Sequence, residues 1–255
     1  MDSVLIIGDI HGCLEELDEL IRSVGSMNVV SVGDLIDRGP DSLGVIRRFR
    51  ENSWVSVLGN HEEKALRWLR HEAACKDAGR KNPMRTPYEK RRKEWESLTQ
   101  DDISWLNHAP TQFLLMEGWR VVHAGFEPGL SFEDQKTDRI IRIRYIDSIT
   151  KMMVPYKDGK REQPPGTVYW TEGWIHPDNI IYGHNVHSFG APRESQIIGG
   201  KCFGIDTGCV FGGRLTGMLL HNNGQYEYIQ VPAKETYFDY SKRAYSEVSK
   251  KDMNE

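Results

Sequence analysis

Cysteine is scarce. The four residues, Cys13, Cys75, Cys202 and Cys209, form no C-x-x-C pair and no dense framework in a chain of 255. That argues against a disulfide-stapled fold and reads as reduced thiols in a cytoplasmic protein. Long apolar runs are missing too, so no segment has the length to span a bilayer. The chain opens on Val4-Leu5-Ile6-Ile7 without a charged region and long apolar stretch, and no targeting signal is expected. An excess of positive charge is also lacking. With 33 basic against 37 acidic side chains, the formal charge is −4, which argues against a general binder of nucleic acid or anionic membrane. An anionic substrate stays open if bound metals supply local positive charge. No internal repeat is found, and the length suits one sizeable α/β domain.

What is present is concentrated in residues 4–61. Three runs of β-formers occur there: Val4-Leu5-Ile6-Ile7, Val29-Val30-Ser31-Val32 and Trp54-Val55-Ser56-Val57-Leu58. Each ends in a polar block: Gly8-Asp9-Ile10-His11-Gly12, Gly33-Asp34-Leu35-Ile36-Asp37-Arg38-Gly39 and Gly59-Asn60-His61-Glu62. Strand ends are rigid and the loops after them are exposed, so three such loops can aim side chains at one point. Two carboxylates, a histidine and an asparagine at convergent strand tips suggest a metal site. Singly, a block fits a turn with a capping Asp and a surface His. Recurrence of the pattern does not fit that.

Between the blocks, Leu14, Leu17, Leu20 and Ile21 recur at helical spacing up to Gly25, as do Leu43, Ile46 and Phe49 after Pro40-Asp41-Ser42. This is the strand–helix–strand pattern of a parallel sheet. Another helix is expected to start near Glu62. The second half reads as β-rich: residues 112–116 and 120–122 as a hairpin, 180–182 as a buried strand, and 202–205, 215–220 and 226–231 as an antiparallel sheet. Residues 154–165 read as a polar loop with an exposed turn at Lys157-Asp158-Gly159-Lys160. The expected organisation is a single domain over 1–233, a surface or cap insertion over 71–102, and a peripheral charged tail over 234–255. The insertion carries a Lys- and Arg-rich stretch, 76–93, with Pro83 and Pro87. It reads either as a solvated excursion or as a cap beside the centre.

The second half adds His123-Ala124-Gly125, Ile143-Arg144-Tyr145-Ile146-Asp147, Trp170, Gly183-His184-Asn185 and Gly204-Ile205-Asp206-Thr207-Gly208. From Gly8 to about Met218 these motifs resemble the PPP-type metallophosphoesterases of the calcineurin-like fold. The later blocks are most similar to the bacterial branch, which holds diadenosine tetraphosphatases and Ser/Thr protein phosphatases. The resemblance implies an α/β fold, a four-layer α/β/β/α sandwich with mixed sheets. It implies two divalent ions, one bound by Asp9, His11 and a bridging Asp34, the other by Asp34, Asn60, His123 and His184. Oxygen and imidazole ligands suit Mn²⁺, Fe, Zn²⁺, Co²⁺ or Ni²⁺ without choosing among them; Mn²⁺ is the expected ion.

The resemblance also implies a reaction, in-line attack of a metal-bridging hydroxide on phosphorus. Arg38, Asn60 and Arg144 would hold the phosphoryl oxygens, Arg38 bidentately. His61 would protonate the leaving oxygen, with Asp37 orienting its ring; Asp37 also fits a cap residue. Arg142 is the alternative to Arg144, Arg139 fits a surface charge, and Asp206 fits a turn residue better than a catalytic acid. Cys13 reads as a buried small residue, with oxidation sensitivity the sharper alternative. The expected substrate is a dinucleoside polyphosphate, diadenosine tetraphosphate being split to ADP. Alternatives are a Ser/Thr or Tyr phosphoprotein and, disfavoured by the acidic charge, a nucleic-acid end. A non-catalytic metal-stabilised module is opposed by Arg38 and His61, which a purely structural site would not need.

Overall fold

The computed structural model describes residues 3–25, 27–155 and 163–239. The first half alternates as its periodicity predicts: β1 (Ser3–Ile7), α1 (Leu14–Val24), β2 (Asn28–Ser31), α2 (Ser42–Glu51), β3 (Val55–Ser56) and α3 (Asn60–Asp77). Helix α1 buries Leu17 and Leu20 and stops at Gly25, whose φ of 80° continues no helix. Asp41 caps α2, its carboxylate accepting from the Gly44 amide at 2.7 Å. Strand β3 is shorter than its apolar run because the Leu58 amide turns away to the Pro110 carbonyl.

Helices α4 (Glu89–Glu96) and α5 (Gln100–Asn107) follow, then β4 (Gln112–Met116) and β5 (Trp119–Val122) as the expected antiparallel hairpin. Beyond them lie α6 (Thr137–Ile140), β6 (Tyr145–Asp147), β7 (Met153–Val154), β8 (Thr167–Tyr169) and α7 (Trp170–Gly173). The chain closes with β9 (Asn179–Tyr182), β10 (Arg193–Ile197), β11 (Gly200–Gly204), β12 (Arg214–His221) and β13 (Tyr226–Pro232). The turn expected at 157–160 lies outside the described residues, as does the tail from 240.

Two five-stranded mixed sheets result, ordered β13-β12-β1-β2-β3 and β10-β11-β9-β5-β4, with a small β7-β6-β8 sheet beside them. Pleating explains the layers. Along β1, Leu5 and Ile7 face α1, α2 and α3, while Ile6 joins Val121, Ile181 and Phe203 between the sheets. The outer face of the second sheet is covered by Ile140, Ile146, Trp170 and Trp174, from α6, α7 and the small sheet. The four-layer α/β/β/α arrangement is therefore present, with a light fourth layer.

One expectation fails. Residues 202–205, 215–220 and 226–231 do not complete one sheet. β11 runs parallel to β9 in the second sheet, whereas β12 and β13 pair antiparallel in the first. The glycine-rich loop between β11 and β12 is no hairpin turn. It holds a short 3₁₀ turn, Cys209–Phe211, between left-handed Gly208 and Gly212 (φ 69° and 87°), and carries the chain from one sheet to the other. Phe203 and Met218 then line opposite walls of the same inter-sheet core.

Parts of the 71–102 insertion and of the expected peripheral tail are built into the fold. On α4, Arg91 and Trp95 are buried. After β13, the Lys234 amide and the Tyr237 hydroxyl both donate to Glu16 on α1, at 2.9 and 2.8 Å, and the Phe238 amide reaches the Val210 carbonyl.

Candidate metal centre

All three blocks of the first half meet at the C-terminal ends of β1, β2 and β3, where the crevice of an open parallel sheet forms. The His11 amide donates to the Asp34 carbonyl at 2.8 Å, and the His61 amide to Asp34 Oδ1 at 3.0 Å. From the second sheet, the Gly183 amide pairs with the His123 carbonyl, and the His184 amide donates to the Asp9 carboxylate at 3.0 Å. Packing here is too close for side chains. A Cβ on Gly183 would sit 2.0 Å from Asp9 Oδ1, and one on Gly59 would sit 2.3 Å from the Asp34 amide. The backbone is also strained: His11, Asp34, Asp37, Arg38 and His184 all have positive φ, between 48° and 75°. Non-glycine residues in that region cost energy that only a surrounding structure can impose, and such residues cluster at functional sites.

Asp34 is the hub. Four imidazoles surround it, with His123 Nε2 at 3.5 Å, His11 Nε2 at 3.6 Å and His61 Nε2 at 3.9 Å from its oxygens. Burial opposes its charge, but His123, His61, His11 and His184 outweigh burial and hold its pKa below the carboxylate range. Two tautomers follow from backbone partners. His11 Nδ1 faces the Ile36 carbonyl and His123 Nδ1 the Val32 carbonyl, each at 2.8 Å. A carbonyl only accepts, so Nδ1 carries the proton and Nε2 presents a lone pair to the centre. Burial lowers the pKa of all four imidazoles.

His61 Nδ1 lies 2.5 Å from Asp37 Oδ2. That carboxylate, fully buried, has further partners from α4: Arg91 reaches Oδ2 at 2.8 Å and the Trp95 indole donates to Oδ1 at 2.8 Å. Arg91 Nη2 also stands 3.4 Å from His61 Nδ1. The Asp37 amide is taken by Ser42 Oγ and Glu94 Oε1. The 71–102 segment thus forms a wall of the site.

Arg38 Nη1 is 2.6 Å from His11 Nε2, and its guanidinium lies over the rings of Phe211 and Phe238 at 5.2 and 5.8 Å. Phe238 brings the post-β13 segment to the centre. Arg144 stands close enough that, after burial, it is the main cause of the lowered His184 pKa. Its alternatives are engaged elsewhere: Arg142 pairs with Glu63, and Arg139 holds the buried Glu127 at 2.7 Å. Asp206 accepts from the Gly208 amide at 2.9 Å, a turn role, while burial raises its pKa to about 6.

The donor set fits divalent cations. His11, Asp34 and His61 offer ligand atoms within 4.8 Å of one another, as do Asp34, His123 and His184. His123 Nε2 and Asn60 Oδ1 face each other at 3.0 Å, an arrangement of two acceptors that a shared cation satisfies. Asp9 stands outside both groups but is buried, and burial together with the Asp206 and Asp34 carboxylates raises its pKa. Buried acids and inward-facing imidazoles, with no thiolate, are the ligand chemistry of borderline divalent ions. A third group, Cys13, Glu16 and Cys209, lies apart under α1.

Fold and site together define a metal-dependent phosphoester hydrolase with a dinuclear centre. The family model described as calcineurin-like phosphoesterase matches residues 3–224, and the chain belongs to that family. Among its relatives is the asymmetrical bis(5′-nucleosyl)-tetraphosphatase PrpE of Geobacillus thermodenitrificans, 31% identical over 238 residues, covering 84% of this chain and 88% of that protein. The symmetrical bis(5′-nucleosyl)-tetraphosphatase of Aromatoleum aromaticum is 27% identical over 281 residues, covering 88% and 96%. A crystal structure of a putative diadenosine tetraphosphatase superimposes with a TM-score of 0.72 at 28% identity, covering 91% and 94%.

Arg91, Trp95 and Glu62 are among the residues that escape sequence reading. Arg91 and Trp95 sit in a segment without apolar periodicity. Glu62 accepts the amides of Asp34, Leu35, Ile36 and Gly59, at 2.8–3.2 Å, and so ties the second block to the third. Its signal was available: an acid at the third helical position after Gly59 is the capping-box spacing.

Proposed function

We propose that this chain hydrolyses dinucleoside polyphosphates, diadenosine tetraphosphate among them, in a reducing cytoplasmic setting. Asp9, His11 and Asp34 would hold one ion, and Asp34, Asn60, His123 and His184 the other, with Mn²⁺ the favoured metal. The observation that carries this reading is the convergence of Arg38, Arg144 and the Asp37–His61 pair on one ligand cluster. A structural metal site has no use for two phosphate clamps and a buried acid–base pair. The relatives' names support the substrate class.

When bound, the two cations would activate water and neutralise charge on the phosphoryl oxygens. The chain's own residues do the rest. Arg38 turns from His11 to the phosphate, guided by the Phe211 and Phe238 faces. Arg144 takes a second oxygen from the His184 side. Asp37 holds the His61 Nδ1–H, so Nε2 faces the leaving oxygen. The pair is buried, with Arg91 and Trp95 of α4 packed on it.

Chelated protein should be inactive, and Mn²⁺ should restore turnover of diadenosine tetraphosphate. Symmetrical cleavage yields two nucleoside diphosphates, the outcome expected from sequence; asymmetrical cleavage yields a triphosphate and a monophosphate. Far faster turnover of phosphopeptides than of diadenosine tetraphosphate would overturn the reading.

A further inference from the structure

Strand β10 is the edge of the second sheet, and alternation along it separates two environments. Glu194 faces Tyr226, Tyr228 and Lys201, accepting both tyrosine hydroxyls at 3.0 Å. Arg193 and Ser195 face the other way. There Arg193 Nη1 donates to His187 Nδ1 at 3.1 Å, its Nε lies 3.4 Å from Ser195 Oγ, and its guanidinium stacks 4.8 Å over the Tyr169 ring. His187 in turn meets Tyr169 edge-on at 4.8 Å, and the Asn185 carboxamide lies 3.2 Å from its Nε2.

The cluster carries positive charge without a counter-charge. Arg193 is half-buried, its partners are an imidazole, a hydroxyl and an aromatic face, and among the described residues no carboxylate pairs with it. His187 adds no negative charge; burial, then Arg193 and Arg144, hold its pKa down to about 4. A half-buried guanidinium with only neutral partners has fork donors to spare for an anion. The cluster also adjoins the centre. Asn185 and His187 directly continue the loop of His184, and Arg144 acts electrostatically on both His184 and His187. Two guanidinium groups therefore flank the loop on which a metal-facing histidine sits.

A single phosphate would be served by Arg38 and Arg144. A polyphosphate chain brings further anionic groups that need partners beyond the reacting one. We propose that Arg193, backed by Tyr169 and steered by His187, is a subsite for the distal phosphates of a polyphosphate chain, with Arg144 bridging from the reacting phosphate. The proposal rests on reading the site as a polyphosphate hydrolase and adds which residue selects for chain length.

The test compares full-length Mn²⁺-loaded wild type with Arg193→Gln and Arg193→Lys on diadenosine tetraphosphate and 4-nitrophenyl phosphate. The ratio of the two kcat/KM values should fall about tenfold or more in Arg193→Gln, mostly through KM, and recover in part in Arg193→Lys. An unchanged ratio, whether both activities fall together or neither does, overturns the subsite. Inhibition of 4-nitrophenyl phosphate hydrolysis by tripolyphosphate, with Mn²⁺ kept in excess, gives a readout that needs no turnover of the dinucleotide. If wild type leaves diadenosine tetraphosphate intact, the substrate reading fails; the subsite still stands if Arg193→Gln weakens that inhibition, and falls if it does not. Should Arg193→Gln not fold, wild type decides. Tripolyphosphate inhibiting at least about tenfold more strongly than orthophosphate supports the subsite, and equal inhibition overturns it.

Discussion

The Trp95 indole donates to Asp37 Oδ1 at 2.8 Å, joining residues 58 apart in sequence. With Arg91 on the other oxygen, α4 holds the acid that in turn holds His61. A basic segment that reads either as a solvated excursion or as a cap thus bears on the geometry of the Asp37–His61 pair.

Removing Arg91 leaves a fully buried carboxylate short of its cation. Arg91→Met should destabilise the protein by about 3–5 kcal/mol in urea unfolding, because a buried charge loses its partner. Trp95→Phe removes one hydrogen bond to a charged acceptor and should cost about 1.5–3 kcal/mol. Both should also lower kcat more than they raise KM, since the ring they aim does not bind the ground state.

Glu62→Gln tests the tie between the second and third blocks. One carboxamide oxygen can serve Leu35 and Ile36, but the amides of Asp34 and Gly59 would then face an NH₂ group. Each unsatisfied buried donor costs about 1–3 kcal/mol. Calorimetry should show a clearly lowered Tm, and the variant should need more Mn²⁺ for half-maximal activity because Asp34 is no longer fixed.

His61→Ala should lower kcat on an alkyl phosphate by about 10²–10⁴-fold, the usual contribution of a general acid. On 4-nitrophenyl phosphate, whose leaving group needs no proton, the loss should be much smaller. His61 also lies 3.9 Å from Asp34, so metal content must be measured alongside. Equal losses on both substrates at full metal occupancy would remove the proton-donor role.

Acid should destabilise the fold through His187. Its folded pKa is lowered to about 4, against about 6.5 in the unfolded chain. Between those values the unfolded state binds the extra proton, so stability is full above about 6.5 and is lost as pH falls toward 4. Urea midpoints at pH 7 and pH 5 should draw closer together in His187→Gln than in wild type.

Much of this was legible in the chain. Strand runs ending in Gly-Asp or Gly-Asn, with helical periodicity between them, identify β1 to α3 and their ligand-bearing tips, because both periods are local. The hairpin β4–β5 was readable for the same reason. The partition of β11, β12 and β13 was not, since strand patterning states which face is apolar but not which neighbour is hydrogen-bonded. Arg91 and Trp95 were hidden because α4 is mostly charged, and its two buried residues answer a carboxylate rather than a core. Phe238 was lost in a tail whose composition is polar.

By itself, then, the sequence determined where the chemistry-bearing side chains lie: carboxylates, imidazoles and an asparagine follow directly on strand runs, in motifs that resemble those of a metallophosphoesterase. Tertiary structure decided what those residues are held by. Only packing two sheets face to face brings His123 and His184 onto Asp34. Only the return of α4 and of residues 234–239 supplies the partners of Asp37 and Arg38. Those contacts join points far apart along the chain, and no local pattern encodes a distance between them.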